Sequence, residues 1–527
     1  MQSLYSTNVV IIFLSVAWLV LCFVMWRLHR FRCSTPATNG TVLITYASQT
    51  GNAQAIANRC AQALDLSESS HVIALNSLTF EHLDSIEKIL FVVSTYGNGE
   101  APDNGALFIK KFSKMFAKHN AKQTSADNNN TYHENKVLSH LSYSIIALGD
   151  SSYPEFCAFG YQVNQTMLKA GANSLGNVIT VDNYEEQITK LADITPDWIN
   201  IDHEVTLNPE IKSLQYWQLN ERVVLNPDCN DEKLLQLNFT SIGPCPHWQA
   251  GDLIDIQPQN PVEVVEQWLL ENQFNGDTWL TYQGHQQTLT SWLLTRELPK
   301  VCLYTQDELV SKLPYLHKRS YSIASITQSG QLELIVRLFE SADTKKFGLA
   351  SGYLSHYCQI GDVVEGQIRN VSAYHNIDHS KSIILIGAGS GLAGLKAQIA
   401  ERTFFDNHSV VNNKTGPSWL IFGERNDDPQ LPLNQQLANL QASSLTKLSC
   451  AYSQKNAQET QVDKYVQDIV LREQVTVKQW VADGASIYVC GSLSGMGEGV
   501  QQTLIDILGQ SSLEKLQQQQ RYIRDVY

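Results

Sequence analysis

Six short stretches of this 527-residue sequence combine residue types that could hold phosphate or move charge. Ser48–Ala53 reads SQTGNA, with two hydroxyls, a glycine and the first amides of a helical pattern, a combination that cradles an anion. It lacks the G-x-G-x-x-G spacing of a dinucleotide loop, so it suits the single phosphate of a mononucleotide. Tyr96 and Tyr153 lie in two later loops of glycine and hydroxyl residues and could face a flat ring from both sides. Farther along, Gly387–Gly394 (GAGSGLAG) follows an apolar run, Ile383–Ile386, and opens a helical pattern. Its glycines would let a pyrophosphate approach a helix N-terminus. Cys490 ends another apolar run, where a thiol is also a good small core filler. The sequence closes on RYIRDVY, an acid at Asp525 and an aromatic at Tyr527.

These residues need elements to hold them. Val42–Tyr46 reads as a buried strand, and Ala53, Ile56, Ala57, Cys60, Ala61 and Leu64 recur at spacings of three and four, one face of a helix. Strand, small-polar loop and helix in that order open a doubly wound sheet. ILFVVSTYGNGE and YSIIALGDSSYPEFCAFG repeat the pattern of an apolar run ending in a polar loop. In an open parallel sheet the three loops share the crevice beyond the strands' carboxyl ends. The asparagine-rich stretch Lys118–Asn135 between the second and third reads as a surface loop. Asp193–Trp217 has no period and reads as a linker. LLQLNFTSIG and WQAGDLIDIQPQN then predict short antiparallel strands, interrupted by a mostly helical patch, Val262–Leu313. Strands and helices alternate again from SIILIG onward.

Composition narrows the function. A net charge of −14 argues against nucleic acid, whose binding rests on lysine and arginine. Ten cysteines without a C-x-x-C pair or zinc spacing suit a reducing compartment and predict no metal site. Leu4–Trp26 is uncharged and long enough, at about 20 residues, to span a bilayer, with Arg27, Arg30 and Arg32 directly after it. That asymmetry predicts a single-pass anchor with the catalytic domains on the cytoplasmic side.

The three polar loops resemble the FMN loops of flavodoxin-like domains in NADPH-dependent diflavin reductases, and the resemblance runs through the rest of the chain. The family's pattern assigns to FMN Ser48, Gln49, Thr50, Gly51, Asn52 and Ala53, then Ser94, Thr95, Tyr96, Gly97 and Gly99, then Leu148, Gly149, Asp150, Tyr153, Phe156 and Asp182. RSYS is similar to the R-x-Y-S of ferredoxin–NADP reductase-like barrels. It implies that Arg319 meets FAD phosphates, Tyr321 stacks on the flavin and Ser322 lies near its reactive nitrogen. Gly348, Leu349, Ala350 and Ser351 match the second FAD loop, and Tyr527 the aromatic that covers the flavin. For NADPH the resemblance implies Gly387, Gly389, Ser390 and Gly391, then Arg425, Ser453, Gln454, Lys455, Tyr465 and Gln467, and finally Cys490 and Gly491, with Ser322, Cys490 and Asp525 as the catalytic group. Two positions depart from the family. Gly394 replaces a proline, which should loosen a helix start. Gln454 replaces an arginine that grips the 2′-phosphate, so a charge-assisted contact of roughly 1.5–3 kcal/mol must come from Lys455, Lys464 or Arg425, or be missing. A shallower preference for NADPH over NADH is expected.

The implied architecture is multidomain α/β. An anchor (4–26) precedes a flavodoxin-like FMN domain (41–192) and a linker (193–217). An FAD-binding barrel (218–375) with its helical insertion (262–313) and an NADP-binding domain (380–527) follow. The implied function is a membrane-anchored diflavin reductase carrying electrons from NADPH through FAD and FMN to a haem-containing protein. The flavoprotein component of sulfite reductase is the rival enzyme reading, favoured by the R-D-V-Y ending. A redox-inactive nucleotide-binding scaffold is the rival from another class.

Overall fold

The computed structural model describes residues 42–48, 51–66, 71–95, 99–102, 104–105, 108–113, 137–151, 155–182, 194–199, 214–229, 233–341, 345–371, 374–375, 377–408, 414–454 and 463–527. The chain divides into two compact units, 1–207 and 208–527, and the division falls within the stretch expected as a linker.

In the first unit, β1 (Val42–Ala47), β2 (Val72–Ala74), β3 (Lys88–Ser94), β4 (Ser142–Leu148), β5 (Asn173–Ser174) and β6 (Ile179–Val181) form one parallel sheet. Its order is β2-β1-β3-β4, with β5 and β6 both against β4. Strands buried on both faces need apolar side chains at every position, which is why β3 and β4 are nearly continuous hydrophobic runs. Alternate residues then choose a side. Ile44, Leu90, Val92 and Ile146 pack with Ile56, Ala57 and Cys60 of the helix Asn52–Ala63. Leu43, Phe91, Val93 and Ile145 pack with Phe159, Val163 and Met167 of the helix Ala158–Lys169 on the other face. Strand order changes direction between β1 and β3, and that is where an open α/β sheet leaves a crevice.

The second unit holds two sheets. β7 (Tyr216–Val224), β8 (Leu234–Ile242), β9 (Leu253–Ile256), β12 (Arg319–Ser322), β13 (Leu332–Arg337) and β14 (Val363–Arg369) are antiparallel in the order β12-β9-β14-β7-β8-β13. A bridge from Ile323 to Leu334 brings the two ends together, so the sheet closes on itself. Between β9 and β12 the stretch expected to be mostly helical contains the helices Val262–Glu271 and Leu289–Leu293, but also a hairpin of β10 (Trp279–Tyr282) and β11 (His285–Thr288). Gln283 and Gly284, both at positive φ, make its two-residue turn. The final sheet is parallel, β17-β16-β15-β18-β19, from β15 (Ile383–Ala388), β16 (Ser418–Glu424), β17 (Lys447–Tyr452), β18 (Ser486–Gly491) and β19 (Tyr522–Val526). Leu253 and Ile335 of the first sheet, with Ala324 just after β12, share one apolar cluster with Ile383, Leu385 and Tyr488 of the second, which joins the two sheets into one body.

The membrane reading is corrected. Among the described residues no helix is long and apolar enough to cross a membrane. The longest described helix, Leu392–His408, has 17 residues and carries Lys396, Glu401, Arg402 and Asp406, against about 20 apolar residues for a span. Leu4–Trp26, on which the anchor and the cytoplasmic orientation rested, lies outside the described residues, as does Lys118–Asn135.

One buried carboxylate ties the turn before β9 to the segment that follows β14. Asp252 is fully buried and accepts from the backbone amides of Gln249 and Val371 at 3.0 Å each, from Asn370 Nδ2 at 2.8 Å and from His375 Nε2 at 2.6 Å. Burial pushes its carboxyl up, but the bonds from His375 and the two amides outweigh that and hold it below the ordinary range. A depressed carboxyl contributes stability above its unfolded pKa and loses it as pH falls through the folded value. Asp252→Ala should therefore cost about 3 kcal/mol near neutrality, and urea midpoints should show the deficit shrinking in acid.

Candidate active site

Parallel register sets the centre of the second unit's site. Gly387 of β15 stands beside Cys490 of β18, and Cys490 beside Asp525 of β19. From the antiparallel sheet, Ser322 at the end of β12 reaches the same place. Ser322 Oγ donates to Asp525 Oδ2 at 2.7 Å across 203 positions of sequence. Cys490 Sγ donates to that oxygen at 3.3 Å and Tyr488 OH at 3.4 Å. The catalytic group expected from resemblance is thus assembled, with a fourth member, Tyr488, that sequence reading missed. Inside the apolar run SIYVCG a tyrosine looks like core, and only the register shows its hydroxyl reaching an acid.

All four residues are buried. Burial is the chief reason that the Cys490 thiol and the Tyr488 phenol lie well above their ordinary ranges, with the nearby Asp525 carboxylate adding to it. Both therefore stay protonated and act as donors. Burial also raises Asp525, against the bonds from Ser322, Cys490 and Tyr488 that favour its charged form. When ionised, the carboxyl is a negative charge held by three donors rather than the base of a nucleophile. Such a charge can stabilise positive charge developing on a ligand beside it.

Glycines admit this packing. A Cβ on Gly387 or Gly391 would collide with the Cys490 carbonyl, and one on Gly394 would stand 3.0 Å from Cys490 Sγ, 3.1 Å from Asp525 Oδ2 and 3.3 Å from Tyr488 OH. The Gly394 amide also bonds to the Cys490 sulfur. Replacement of proline by Gly394 therefore does more than loosen a helix start. It supplies an N–H that proline lacks, directly against the buried cluster.

A cavity of about 570 Å³ opens beside the glycine loop. Gly389, Ser390, Arg425, Ser453, Lys464, Tyr465 and Gln467 line it, so most of the expected nucleotide residues converge. Arg337, from the end of β13, joins them unforeseen. Gln454 instead lines a neighbouring small cavity with Cys229 and Arg425. Gly491 ends β18, where its carbonyl accepts from the Tyr527 amide at 3.1 Å. Tyr527 as a whole residue is 47% exposed, and its hydroxyl donates to Ser390 Oγ at 2.8 Å. Arg319 and Tyr321 are half-buried on β12, and Gly348 precedes the short helix Leu349–Gly352, whose Ser351 Oγ accepts from the Phe339 amide at 3.4 Å.

In the first unit the expected loops meet at one sheet edge. Gly51, at φ +87°, turns the chain from β1 into the helix Asn52–Ala63, and Ser48 Oγ accepts from the Ala53 amide at 3.2 Å. Ser94 Oγ donates to the Ala47 carbonyl at 2.9 Å, the Thr95 amide to Leu148 O at 2.8 Å, and the Gly149 amide to Val181 O at 3.0 Å. Thr95 Oγ1 accepts from the Phe159 amide, and Asp182 Oδ1 from the Ser151 amide. A Cβ on Gly149 would meet Cys157 and Phe156 within 3 Å, so this turn too requires glycine. Gly99, at φ +109°, and Asp150 are half-buried in the same loops. Gln49, Thr50, Tyr96, Gly97, Tyr153 and Lys455 lie outside the described residues.

The flavodoxin family profile matches residues 44–193, the parallel sheet just described. The chain carries a flavodoxin domain. Over nearly its whole length it is also similar to sulfite reductase [NADPH] flavoprotein alpha-components. It is 23% identical to that of Bacillus subtilis (strain 168) over 93% of this chain and 90% of the relative. Identity to the Vibrio vulnificus (strain CMCP6) protein is 24%, over 93% and 88%. With the Aliivibrio fischeri (strain ATCC 700601 / ES114) protein it is 26%, over 94% and 90%. The flavodoxin domain thus sits at the front of a chain whose second unit is shared with these relatives as well.

The raised Asp525 carboxyl gives a signed expectation. A carboxyl whose folded pKa exceeds its ordinary 3.8 costs the fold stability as pH rises from that value toward the folded one. Asp525→Asn removes the titration, so its melting temperature should gain on that of the parent chain as pH rises above about 4. Scanning calorimetry across that range checks it, and a constant difference would sink the assignment of the shift to Asp525.

Proposed function

We propose that the chain is an NADPH-dependent flavoprotein oxidoreductase acting as the flavoprotein component of a sulfite reductase system. It uses FMN, FAD and NADPH and passes electrons to a haem-containing partner protein. The observation that carries this reading is the Ser322–Asp525–Cys490 cluster, built from three strands beside a glycine loop and its cavity. The cradles fit the groups. Glycines stand where side chains would fill the approach to the loops, and Gln467 Oε1 is buried at the nucleotide cavity without a hydrogen-bond partner.

Bound flavins supply what side chains lack, a carrier that exchanges electrons in pairs or singly. The protein's part is to bind, orient and fix charge. Ser48 and the first amides of the helix Asn52–Ala63 would take the FMN phosphate, with the loops at Thr95, Gly149 and Asp182 holding its ring. Arg319 and the Gly348–Ser351 turn would meet FAD phosphates, and Tyr321 and Tyr527 its ring. Gly387, Gly389 and Gly391 would receive the NADPH pyrophosphate, with Arg425 and Lys464 as cations for the remaining phosphate. Asp525, held by three donors, would favour positive charge arising on the nicotinamide as it gives up hydride. Tyr527, tied by its hydroxyl to Ser390, is a group that nicotinamide would have to displace.

The test is direct. The purified chain should be yellow, hold both flavins and reduce the haem subunit of a sulfite reductase with NADPH. Asp525→Asn should retain both flavins while slowing their reduction about a hundredfold in stopped flow. A colourless protein, or one whose reduction rate ignores this substitution, overturns the reading. Tyr527→Ala should change the FAD spectrum and tighten nicotinamide binding. An unchanged spectrum would mean that Tyr527 does not cover the flavin.

A further inference from the structure

One acid in the nucleotide cavity has no task so far. Glu424 ends β16 and is 8% exposed. Its Oε1 accepts from the Arg425 amide at 2.9 Å, whereas its Oε2 is buried without a hydrogen-bond partner. A buried carboxylate oxygen in that state forfeits the free energy of a charged hydrogen bond, so the site is short of a donor. The same cavity runs from Gly389 and Ser390 to Ser453 and Gln467, and Gln467 Oε1 is a second buried acceptor in need.

Two acceptors that want donors describe a ligand presenting hydroxyl or amino groups. A phosphate dianion presents acceptors only and so leaves both oxygens unsatisfied, whatever Arg337, Arg425 and Lys464 in the same cavity offer it. Glu424 is the one carboxylate among the described residues lining this cavity. The neighbouring Arg425 turns Nη1 onto Cys229 Sγ at 3.3 Å, on the turn after β7. Gln454, beside Arg425 in the neighbouring small cavity, is neutral. An acid at the end of the strand that follows the glycine-loop strand stands where nucleotide-binding sheets read a ribose 2′-hydroxyl.

We propose that Glu424 is a specificity-determining residue that accepts the 2′-hydroxyl of an adenosine ribose, so that the chain takes NADH as well as NADPH. The inference rests on the nicotinamide-dependent reading above and deepens it.

Binding of 5′-AMP and 2′,5′-ADP to the full chain, measured by calorimetry, tests it without nicotinamide or electron transfer. The unsubstituted chain should bind the two probes within about tenfold of each other, and Glu424→Gln should shift their ratio toward 2′,5′-ADP by about tenfold or more, as expected for one charged hydrogen bond exchanged for repulsion relieved. Glu424→Asp, which keeps the charge, should leave the ratio near that of the parent and guards against a folding artefact. An unchanged ratio in Glu424→Gln, or equal shifts for both probes, overturns the assignment. If neither probe binds, the assignment and the nucleotide site fall together. If the probes behave as expected but NADPH leaves the flavins oxidised, only the redox reading falls.

Discussion

A single oxygen atom, Asp525 Oδ2, organises the second unit. Three donors converge on it from β12 and β18, and it sits in an interior that penalises charge. A carboxylate there is tolerable only when its hydrogen bonds are made, because an unmade bond to a buried charge costs more than a made one gains. The parallel register of β15, β18 and β19 is thus as much a requirement of the acid as of the apolar core. Ser322 extends the constraint to the antiparallel sheet, since its bond spans 203 positions and couples the two sheets chemically.

Space is the second constraint, and it follows from the first. Bringing a glycine loop, a thiol and an acid together leaves no volume for a side chain at Gly387, Gly391 or Gly394, each of which presses on Cys490 or its cluster. The loop that would accept a pyrophosphate is therefore the same loop that closes over the buried acid. A ligand on that loop and the buried acid beside it would share one piece of backbone, so that a change at either would be felt at the other.

The first unit solves a simpler problem with less burial. Its loops are tied by backbone amides and short hydroxyl side chains to neighbouring strand ends, as with Thr95 on Leu148 and Gly149 on Val181. Those bonds fix the sheet edge without a buried charge. The edge stays open to a ligand because strand order reverses there, which is a matter of topology rather than of any one side chain.

Local pattern alone determined most of the elements and picked out residues that the structure brings together in the candidate site. The strand expected over Val42–Tyr46 runs Val42–Ala47, and the helix face from Ala53 to Ala61 is buried as its spacing required. Periodicity and glycine spacing are short-range properties, so they can be read along the chain. The sequence also named Ser322, Cys490 and Asp525, through motifs rather than through any visible contact. What it could not contain was the identity of the neighbours. Tyr488 interrupts an apolar strand and looks like core, Glu424 ends one outside any motif, the hairpin at Gln283–Gly284 hid within a helical reading, and the apolar run Leu4–Trp26 suggested an anchor that no described helix supports. Only tertiary structure set Tyr488 on Asp525, Gly394 against both, and Glu424 in a cavity with Gln467. Those relations depend on strand register and sheet packing, which are decided by the whole chain at once and leave no trace in residue spacing.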